Sequence, residues 1–274
     1  MTNKLQTVFF TLSLLLLANN AFAQHSEVGL WIGSGTYLGD LNTNYDMTKT
    51  RPGFGAVYRY TLNDYIMLKA GVGFTRLVGN DASSKNPYQE ARNLNFRSNL
   101  IEVSGQIDLH FQKYIIGSAK HAFTPYLTTG LALFYFNPRT SYEGETYNLH
   151  ELGTEGQQNS DYTGRKPYKL IQPAIPFGGG IKYWMRKGWN FYVEIAYRKT
   201  FTDYIDDVSS TFTDTYLLGD GTIAAELSDR SDEVGEPIGE IGKQRGFLTD
   251  KDGYIMTNVG VTYTLFNRAC PKAK

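Results

Sequence analysis

The stretch "LIEVSGQIDLHF" (100–111) decides the fold, because its side chains alternate in character at almost every step. The apolar side chains share one face of an extended strand: Ile101, Val103, Ile107, Leu109 and Phe111. The polar side chains share the other face: Glu102, Ser104, Gln106, Asp108 and His110. A period of two predicts a strand with one apolar side. The run is longer than the 5–6 residues usual in soluble proteins and suits a tilted membrane strand of roughly 9–11 residues.

Eight segments with this pattern recur along the chain, and they predict strands at 27–38, 52–62, 65–77, 97–111, 123–136, 169–185, 189–201 and 253–266. The connections at 63–64 and 186–188 are tight hairpins, and 112–122 is a medium link. The remaining connections are long and polar: 39–51, 78–96, 137–168 and 202–252. Short turns on one rim and long loops on the other are typical of an outer-membrane barrel. We therefore predict an all-β fold, an eight-stranded antiparallel transmembrane β-barrel over residues 24–266, with short periplasmic turns and long extracellular loops.

The same alternation also fits a soluble β-sandwich or a lipocalin-like barrel, in which the apolar face points inward. Strand length and the asymmetry of the loops favour the membrane. So do aromatic residues at the ends of the predicted strands, where a membrane barrel carries its aromatic girdles: Trp31, Tyr37, Tyr135, Phe136, Trp184, Trp189, Phe201 and Phe266. An even strand number predicts that both termini are periplasmic.

The N-terminus is typical of a secretory signal peptide over residues 1–23. Lys4 supplies a positive charge, an apolar core follows over 8–17, and "AFA" (21–23) precedes the expected cleavage site before Gln24. The formal net charge is +0, so the electrostatics give no indication of nucleic acid binding. These features indicate export to the cell envelope.

The inward positions of the predicted strands carry charges of both signs. This predicted lumen charge network comprises Arg59, Lys69, Glu102, Asp108, His110, Lys182, Glu194 and Arg198. The lumen of an eight-stranded barrel is only wide enough for its own side chains, and unpaired buried charge is costly. We expect a plugged core, not a pore. Ser104 and His110 are too far apart on one strand for a nucleophile and base, and no catalytic motif is present, so we expect neither an enzyme nor a cofactor.

The long connection at 202–252 is acidic. Asp203, Asp206, Asp207 and Asp214 have the residue type of Ca²⁺ ligands, but the EF-hand frame with its closing Glu is missing. The sequence therefore favours a solvated loop over a metal site. Within it, "GTIAAELSDRS" (221–231) has the composition of a short helix. Such a long loop is expected to cap the barrel or to dock a partner.

The sequence resembles the PorG-type outer-membrane barrels of the type IX secretion system over nearly the whole chain after residue 28. The most specific segments are "YRKTFTDYIDDVS" (197–209) and "LGTEGQ" (152–157). The other matching segments lie in order at 29–43, 51–64, 92–111, 123–138, 174–183, 227–231 and 244–246. The family-signature loop includes Thr202, Asp203, Tyr204, Asp206 and Asp207.

The resemblance implies a non-catalytic component of a protein secretion machine. It implies partners in the periplasmic ring, built from a lipoprotein and its ring partner, besides the outer-membrane lipids around the barrel. A surface receptor or adhesin that uses the long acidic loop remains an alternative, as does a hydrolase acting in the lumen.

The single cysteine of the chain, Cys270, lies in the predicted periplasmic tail 267–274. An odd cysteine in an oxidising compartment indicates an intermolecular disulfide or a free thiol. Two expectations stay open, an incidental thiol in a frayed tail and a disulfide tether to a periplasmic ring component.

Overall fold

The structure, a computed structural model, describes residues 25–43, 46–159, 165–247 and 251–265. The predicted signal peptide, Phe266 and Cys270 lie outside these residues. The strands are β1 (Ser26–Leu38), β2 (Arg51–Asn63), β3 (Ile66–Asn80), β4 (Asn95–His110), β5 (Phe123–Tyr135), β6 (Pro138–Tyr142), β7 (Glu145–Asn148), β8 (Ile171–Trp184), β9 (Trp189–Thr200) and β10 (Gly253–Leu265). The short helices are α1 (Pro87–Arg92), α2 (Leu149–Leu152), α3 (Thr215–Leu218) and α4 (Ile223–Ser228).

Eight of the strands form a closed antiparallel barrel, as the alternation predicted. Around the ring, neighbours pair in the order β1, β2, β3, β4, β5, β8, β9 and β10. The ring closes where β1 pairs with β10 along its whole length, from Ser26 opposite Leu265 to Leu38 opposite Gly253. A closed barrel leaves no unpaired sheet edge. The fold class is confirmed, and the strand bounds differ from the predicted ones by a few residues.

The hairpin of β6 and β7 was not predicted. It lies in the connection between β5 and β8 and extends the sheet beyond the barrel rim, where Arg97 of β4 pairs with Arg139 of β6. The sequence of the hairpin is too short and too polar to show an apolar face. Three further one-turn elements lie in the loops on this rim, at Met47–Lys49, Asp81–Ser83 and Ser231–Glu233.

The outer surface of the barrel is apolar. Leu30, Ile32 and Leu131 are 67%, 72% and 71% exposed, far more than a soluble protein leaves open for a whole belt of large apolar residues. The inner surface is polar, and its charged side chains are buried. An apolar outside and a polar inside on an even number of antiparallel strands is the architecture of outer-membrane barrels. Among the described residues, no helix is long and apolar enough to cross a bilayer.

Three aromatic residues that we assigned to the membrane girdle lie inside instead. Trp31, Tyr37 and Phe136 are 7%, 0% and 0% exposed. The prediction was wrong because it relied on the position of each residue near a strand end and not on the face of the strand that its side chain occupies. Trp31 follows Glu27 at an interval of four and therefore shares its inward face. Its indole packs on Gly55, where an added Cβ would lie 2.6 Å from the ring.

The apolar core lies towards the rim with the long loops. There, side chains from the upper barrel and from the loops pack together, among them Tyr37, Leu77, Phe96, Phe134, Phe136, Leu149, Ile205, Val208, Leu227 and Tyr254. The long loops and the helices within them thus form one packed layer over the barrel, which we call the cap (residues 39–43, 46–50, 81–94, 136–159, 165–170, 201–247 and 251–252). The opposite rim carries the short connections.

Candidate functional site

The first part of the site is the barrel interior, where the predicted lumen charges form ion pairs. Lys69 Nζ lies 2.5 Å from Glu194 Oε2 and 3.3 Å from Asp108 Oδ1. Arg59 Nε donates to Asp108 Oδ2 over 3.1 Å, and its guanidinium stacks on the Tyr192 ring. Because charges of opposite sign alternate across the lumen, each buried ion offsets part of the desolvation cost of its neighbour.

Two further ion pairs lie above and below this cluster. Arg198 donates from Nε and Nη2 to both oxygens of Glu102, over 3.1 and 3.2 Å, and Tyr254 donates to the same carboxylate over 2.7 Å. Near the short-turn rim, Lys182 Nζ donates to Glu27 Oε1 over 2.7 Å. The predicted network did not include Glu27, because this residue stands at the very start of its strand. The two-residue period that places Trp31 on the inner face also places Glu27 there, so the sequence could have predicted its position.

His110 has the position predicted for it, on the inner face of β4. Its ring is buried against the edges of Tyr114 and Tyr126, and neither ring nitrogen has a hydrogen-bond partner in the described part of the chain. Ser104 Oγ accepts instead from Gln106 Nε2 over 2.9 Å. The cavity beside Arg59, Glu102 and Ser104 measures about 30 Å³, which leaves room for only a few waters. The lumen is filled by side chains.

The second part of the site is the cap, and Glu155 and Arg245 lie at its centre. Glu155 is fully buried, and its Oε1 accepts from the backbone amides of Ser209 and Ser210 over 3.0 and 3.2 Å. Arg245 donates from Nη1 to Glu155 Oε1 and to the Asp207 carbonyl, over 3.0 and 2.9 Å. It also donates from Nε to the Ser228 carbonyl over 2.9 Å. One ion pair therefore ties together four segments that are distant in sequence.

Asp207 joins the same centre from the other side. Thr154 Oγ1 and the Tyr168 hydroxyl each donate to its carboxylate over 2.6 Å. Burial raises the pKa of Asp207 to about 6, although the nearby Arg245 guanidinium acts to lower it. The backbone of Asp207 has a positive φ of 67°, which places its carboxylate inward at some conformational cost.

Asp206 and Asp252 share one tyrosine hydroxyl. The Tyr37 oxygen lies 2.6 Å from Asp206 Oδ2 and 2.6 Å from Asp252 Oδ1. A phenol has one proton and can donate to only one of them. The other carboxyl must carry a proton and donate to the phenol oxygen. Burial raises the pKa of both carboxyls well above the usual range, which agrees with a shared proton.

Asp40 connects the first loop to the end of the longest one. Both of its carboxylate oxygens accept from the Phe247 amide, over 3.1 and 3.0 Å. Burial raises the pKa of Asp40 to about 7. Beside it, Arg92 donates from Nη2 to the Asp40 carbonyl and, through Nε, forms an ion pair with Asp81 at 2.7 Å.

The prediction that the acidic residues after β9 belong to a solvated loop was wrong. Asp203, Asp206 and Asp207 are 4%, 1% and 0% exposed. Thr202 is buried as well, and its Oγ1 accepts from the amide of Tyr204, whose ring stacks on Tyr168. Partners for these residues come from remote loops, which a local acidic pattern cannot reveal. Asp214 instead caps α3 by accepting from the Tyr216 amide. The predicted helix in 221–231 is present as α4.

No group of three or more His, Cys, Asp and Glu side chains in the described ranges is placed to hold a metal ion. The described site is thus a filled barrel closed on one side by a buried, hydrogen-bonded cap. This defines a class, the small plugged β-barrels with a folded loop cap.

The chain belongs to a protein family described as a domain of unknown function (DUF6089), whose model matches residues 6–222. No curated protein matches the sequence.

Solved structures similar to the chain are β-barrels. The N-terminal β-barrel domain of Pseudomonas aeruginosa OprF has 12% identity and a TM-score of 0.38, with 88% of this chain and 97% of that chain covered. The attachment invasion locus protein Ail of Yersinia pestis has 10% identity and a TM-score of 0.42, with 89% and 100% covered. The outer membrane protein AlkL has 10% identity and a TM-score of 0.38, with 90% and 93% covered. The barrel assignment itself rests on the strand pairing of this chain.

Proposed function

We propose that the protein is a non-catalytic outer-membrane component of a type IX protein secretion system, where it anchors or positions the periplasmic ring lipoprotein and its ring partner. The observation that carries the proposal is where four of the resembling segments lie, among them the two most specific ones. Segments 152–157, 197–209, 227–231 and 244–246 are far apart in sequence, yet Arg245 donates hydrogen bonds to Glu155, Asp207 and Ser228 in the cap. The resemblance therefore covers one interlocked three-dimensional unit.

An anchoring role suits the barrel better than a conducting role. The lumen is crossed by ion pairs of Arg59, Lys69 and Arg198, and the cavity beside them has room for only a few waters. A translocated polypeptide would have to displace these charges and also unfold the cap. A rigid, plugged barrel instead offers a fixed point in the membrane.

The rim with short turns offers a surface for the ring components. Lys113, Lys120, Arg186 and Lys187 are exposed there, and Asp64 is the half-buried acidic residue of the nearby hairpin. Under the proposed function, with this rim in the periplasm, its positive charge attracts an acidic surface on the ring.

The test is affinity purification of the tagged chain from native membranes in mild detergent. We expect the ring lipoprotein and its partner to co-purify with the wild type. The variant K113E/K120E/R186E/K187E should lose them, while K243E/K251E, which changes exposed lysines of the cap, should keep them. If the ring proteins are absent from the wild-type preparation and secretion is intact in a deletion strain, the proposal fails.

Cys270 provides a separate test of how the barrel is attached. The proposed tether is a disulfide to a ring component. Non-reducing electrophoresis of native membranes should then show a band of higher mass that disappears in Cys270→Ser and in reductant. If there is no such band while co-purification persists, the attachment is non-covalent and the tether alone is wrong.

A receptor or adhesin is the second candidate, and the outer side of the cap favours it. Tyr216, Val234 and Ile241 are 75%, 58% and 67% exposed on the loop between β9 and β10. If the protein is a receptor or adhesin, the triple variant Y216S/V234S/I241S should reduce the adhesion of cells to the surface that they bind, without reducing secretion. A loss of secretion with unchanged adhesion would exclude it.

A further inference from the structure

A second feature of the barrel lies on its outer wall just below the β6–β7 hairpin. On β3, β4 and β5, the apolar belt ends with Phe74, Ile101 and Tyr135, which are neighbours in register. The next outward positions towards the cap are Arg76 and Asn99, followed by Val78 and Arg97. Two residues along a strand advance about 6.5–7 Å. These arginines therefore lie at the level of the lipid headgroups in the leaflet on the cap side.

Arg97 and Arg139 are direct partners in the register of β4 and β6, and both are exposed on the same side. Directly opposite residues have Cβ atoms about 4.5–5.5 Å apart, and like charges in this position destabilise a sheet. Arg76 is the diagonal neighbour of Arg97, since Val78 stands opposite Arg97. Three positive charges thus share one small patch of sheet, which we call the arginine patch (Arg76, Arg97 and Arg139).

The three arginines have no carboxylate partner in an ion pair among the described residues. The ion pairs of the described residues, taken to 4.0 Å, do not include any of the three arginines. Arg76 Nε donates to Asn99 Oδ1 over 2.9 Å and Arg97 Nη2 donates to Thr146 Oγ1 over 2.6 Å. By contrast, the buried arginines Arg59, Arg92, Arg198 and Arg245 each have a carboxylate partner. The patch therefore has guanidinium donors left over.

The three arginines line a cavity of about 260 Å³, which Asn99, Tyr135, Asn137 and Thr146 also line. Because a single water needs only about 10–15 Å³ of such space, the cavity holds a phosphate group together with several waters. Tyr135 is 40% exposed and is part of both the apolar belt and the cavity wall. The cavity is therefore continuous with the surface that faces the acyl chains.

We propose that the arginine patch binds the headgroup phosphates of a phosphorylated glycolipid of the lipid A type in the cap-side leaflet. Arginine binds phosphate oxygens through paired N–H donors, and such charge-assisted bonds are strong. An anion of two or more charges also removes the repulsion between Arg97 and Arg139. The acyl chains of the same molecule lie against Phe74, Ile101 and Tyr135, which selects a lipid over a free anion. The inference depends on the membrane location and not on the secretion role.

Native mass spectrometry of the full chain in detergent micelles tests this binding. Diphosphoryl lipid A is added in one arm and dephosphorylated lipid A in the other. We expect retention of the diphosphoryl lipid, about tenfold or more weaker retention of the dephosphorylated lipid, and a similar loss in R76Q/R97Q/R139Q. The matched control R186Q/K187Q, at the opposite rim, should bind as the wild type does. Equal retention in all variants would overturn the proposal.

A third arm identifies the source of the phosphate. Inorganic pyrophosphate at millimolar concentration should leave the lipid bound, because it lacks the acyl contacts. Full displacement would show a site for a free anion and overturn the lipid assignment.

The single variant R97E distinguishes a loss of lipid binding from a loss of barrel stability. It should raise the thermal midpoint of the lipid-free barrel, because the introduced carboxylate would attract Arg139, and still weaken lipid binding. A lower midpoint with unchanged binding would contradict the proposal.

Discussion

The Tyr37 hydroxyl shows how far a single buried proton can decide local structure. Two carboxyl groups lie at 2.6 Å from the phenol oxygen, so the arrangement is complete only when one of them is protonated. If both carboxyl groups were ionised, they would repel each other strongly, because the site is buried. The proton is therefore a structural part of the cap.

Replacing Asp252 by Asn should reproduce the protonated acid at every pH. The amide oxygen can accept from the Ile205 amide as Asp252 Oδ2 does, while the amide nitrogen donates to Tyr37. We expect D252N to protect the cap amides at pH 8 at least as well as the wild type in hydrogen exchange. Tyr37→Phe should instead lose about 1–3 kcal/mol, because it leaves buried polar groups unsatisfied. Greater exchange in D252N than in Tyr37→Phe would contradict the shared proton.

The ion pair of Glu155 and Arg245 is the second decisive contact at this scale. Both side chains are buried, at 0% and 2% exposure. Arg245→Ala leaves Glu155 as an uncompensated buried charge and should lower the stability of the cap by roughly 3–5 kcal/mol. Hydrogen exchange of residues 201–247 measures this loss. The matched control is Lys243→Ala, whose ion pair with Glu240 is at the surface; it should change the stability by less than about 0.5 kcal/mol.

At the scale of elements, the cap as a whole should respond to pH. Burial raises the pKa of Asp40 to about 7 and that of Asp207 to about 6, against about 3.9 in an unfolded chain. Neighbouring charges also shift these pKa values. Arg92 lowers the pKa of Asp40 and Asp203 raises it. Arg245 lowers the pKa of Asp207 and Glu155 raises it. Between about pH 4 and pH 7 the folded cap holds protons that the unfolded segment has released. The free energy of unfolding of the cap therefore falls as the pH rises through this window.

Hydrogen exchange of the cap amides, corrected for the intrinsic rate, should show this directly. We expect more protection at pH 5 than at pH 8 in residues 201–247, with little change in β1 to β4. Asp40→Asn should flatten the dependence, since Asn keeps an acceptor for the Phe247 amide without a titratable proton. Protection that rises with pH would contradict the sign.

The elements differ in how well the sequence predicts them, and the range of the contacts explains why. The strand at 100–111 is predictable because alternation is local and most of its residues indicate their side by their own character. The burial of Asp206 is not, because its partner Tyr37 lies 169 positions away. Trp31 lies between these cases. Its inward side follows from the period of two, but its packing on Gly55 depends on the register of another strand.

At the scale of the whole molecule, the plugged lumen predicts that the barrel does not conduct. Recordings of the purified protein in planar bilayers should show no steady current, because ion pairs cross the lumen and eight strands enclose only their side chains. A sixteen-stranded porin in the same bilayer is the positive control. A steady ohmic current that scales with the amount of protein would contradict this prediction.

The closing pair of β1 and β10 has a consequence for the order of assembly. The first strand of the barrel stays without its second neighbour until the last strand has been made, and the contact of Asp40 with Phe247 spans 207 positions. Such contacts give a high contact order and slow folding. The cap cannot complete its packing before the loop that leads into β10 has been made. Resistance of the cap loops to protease should therefore appear last during assembly, and its appearance reports the completed folding of each molecule.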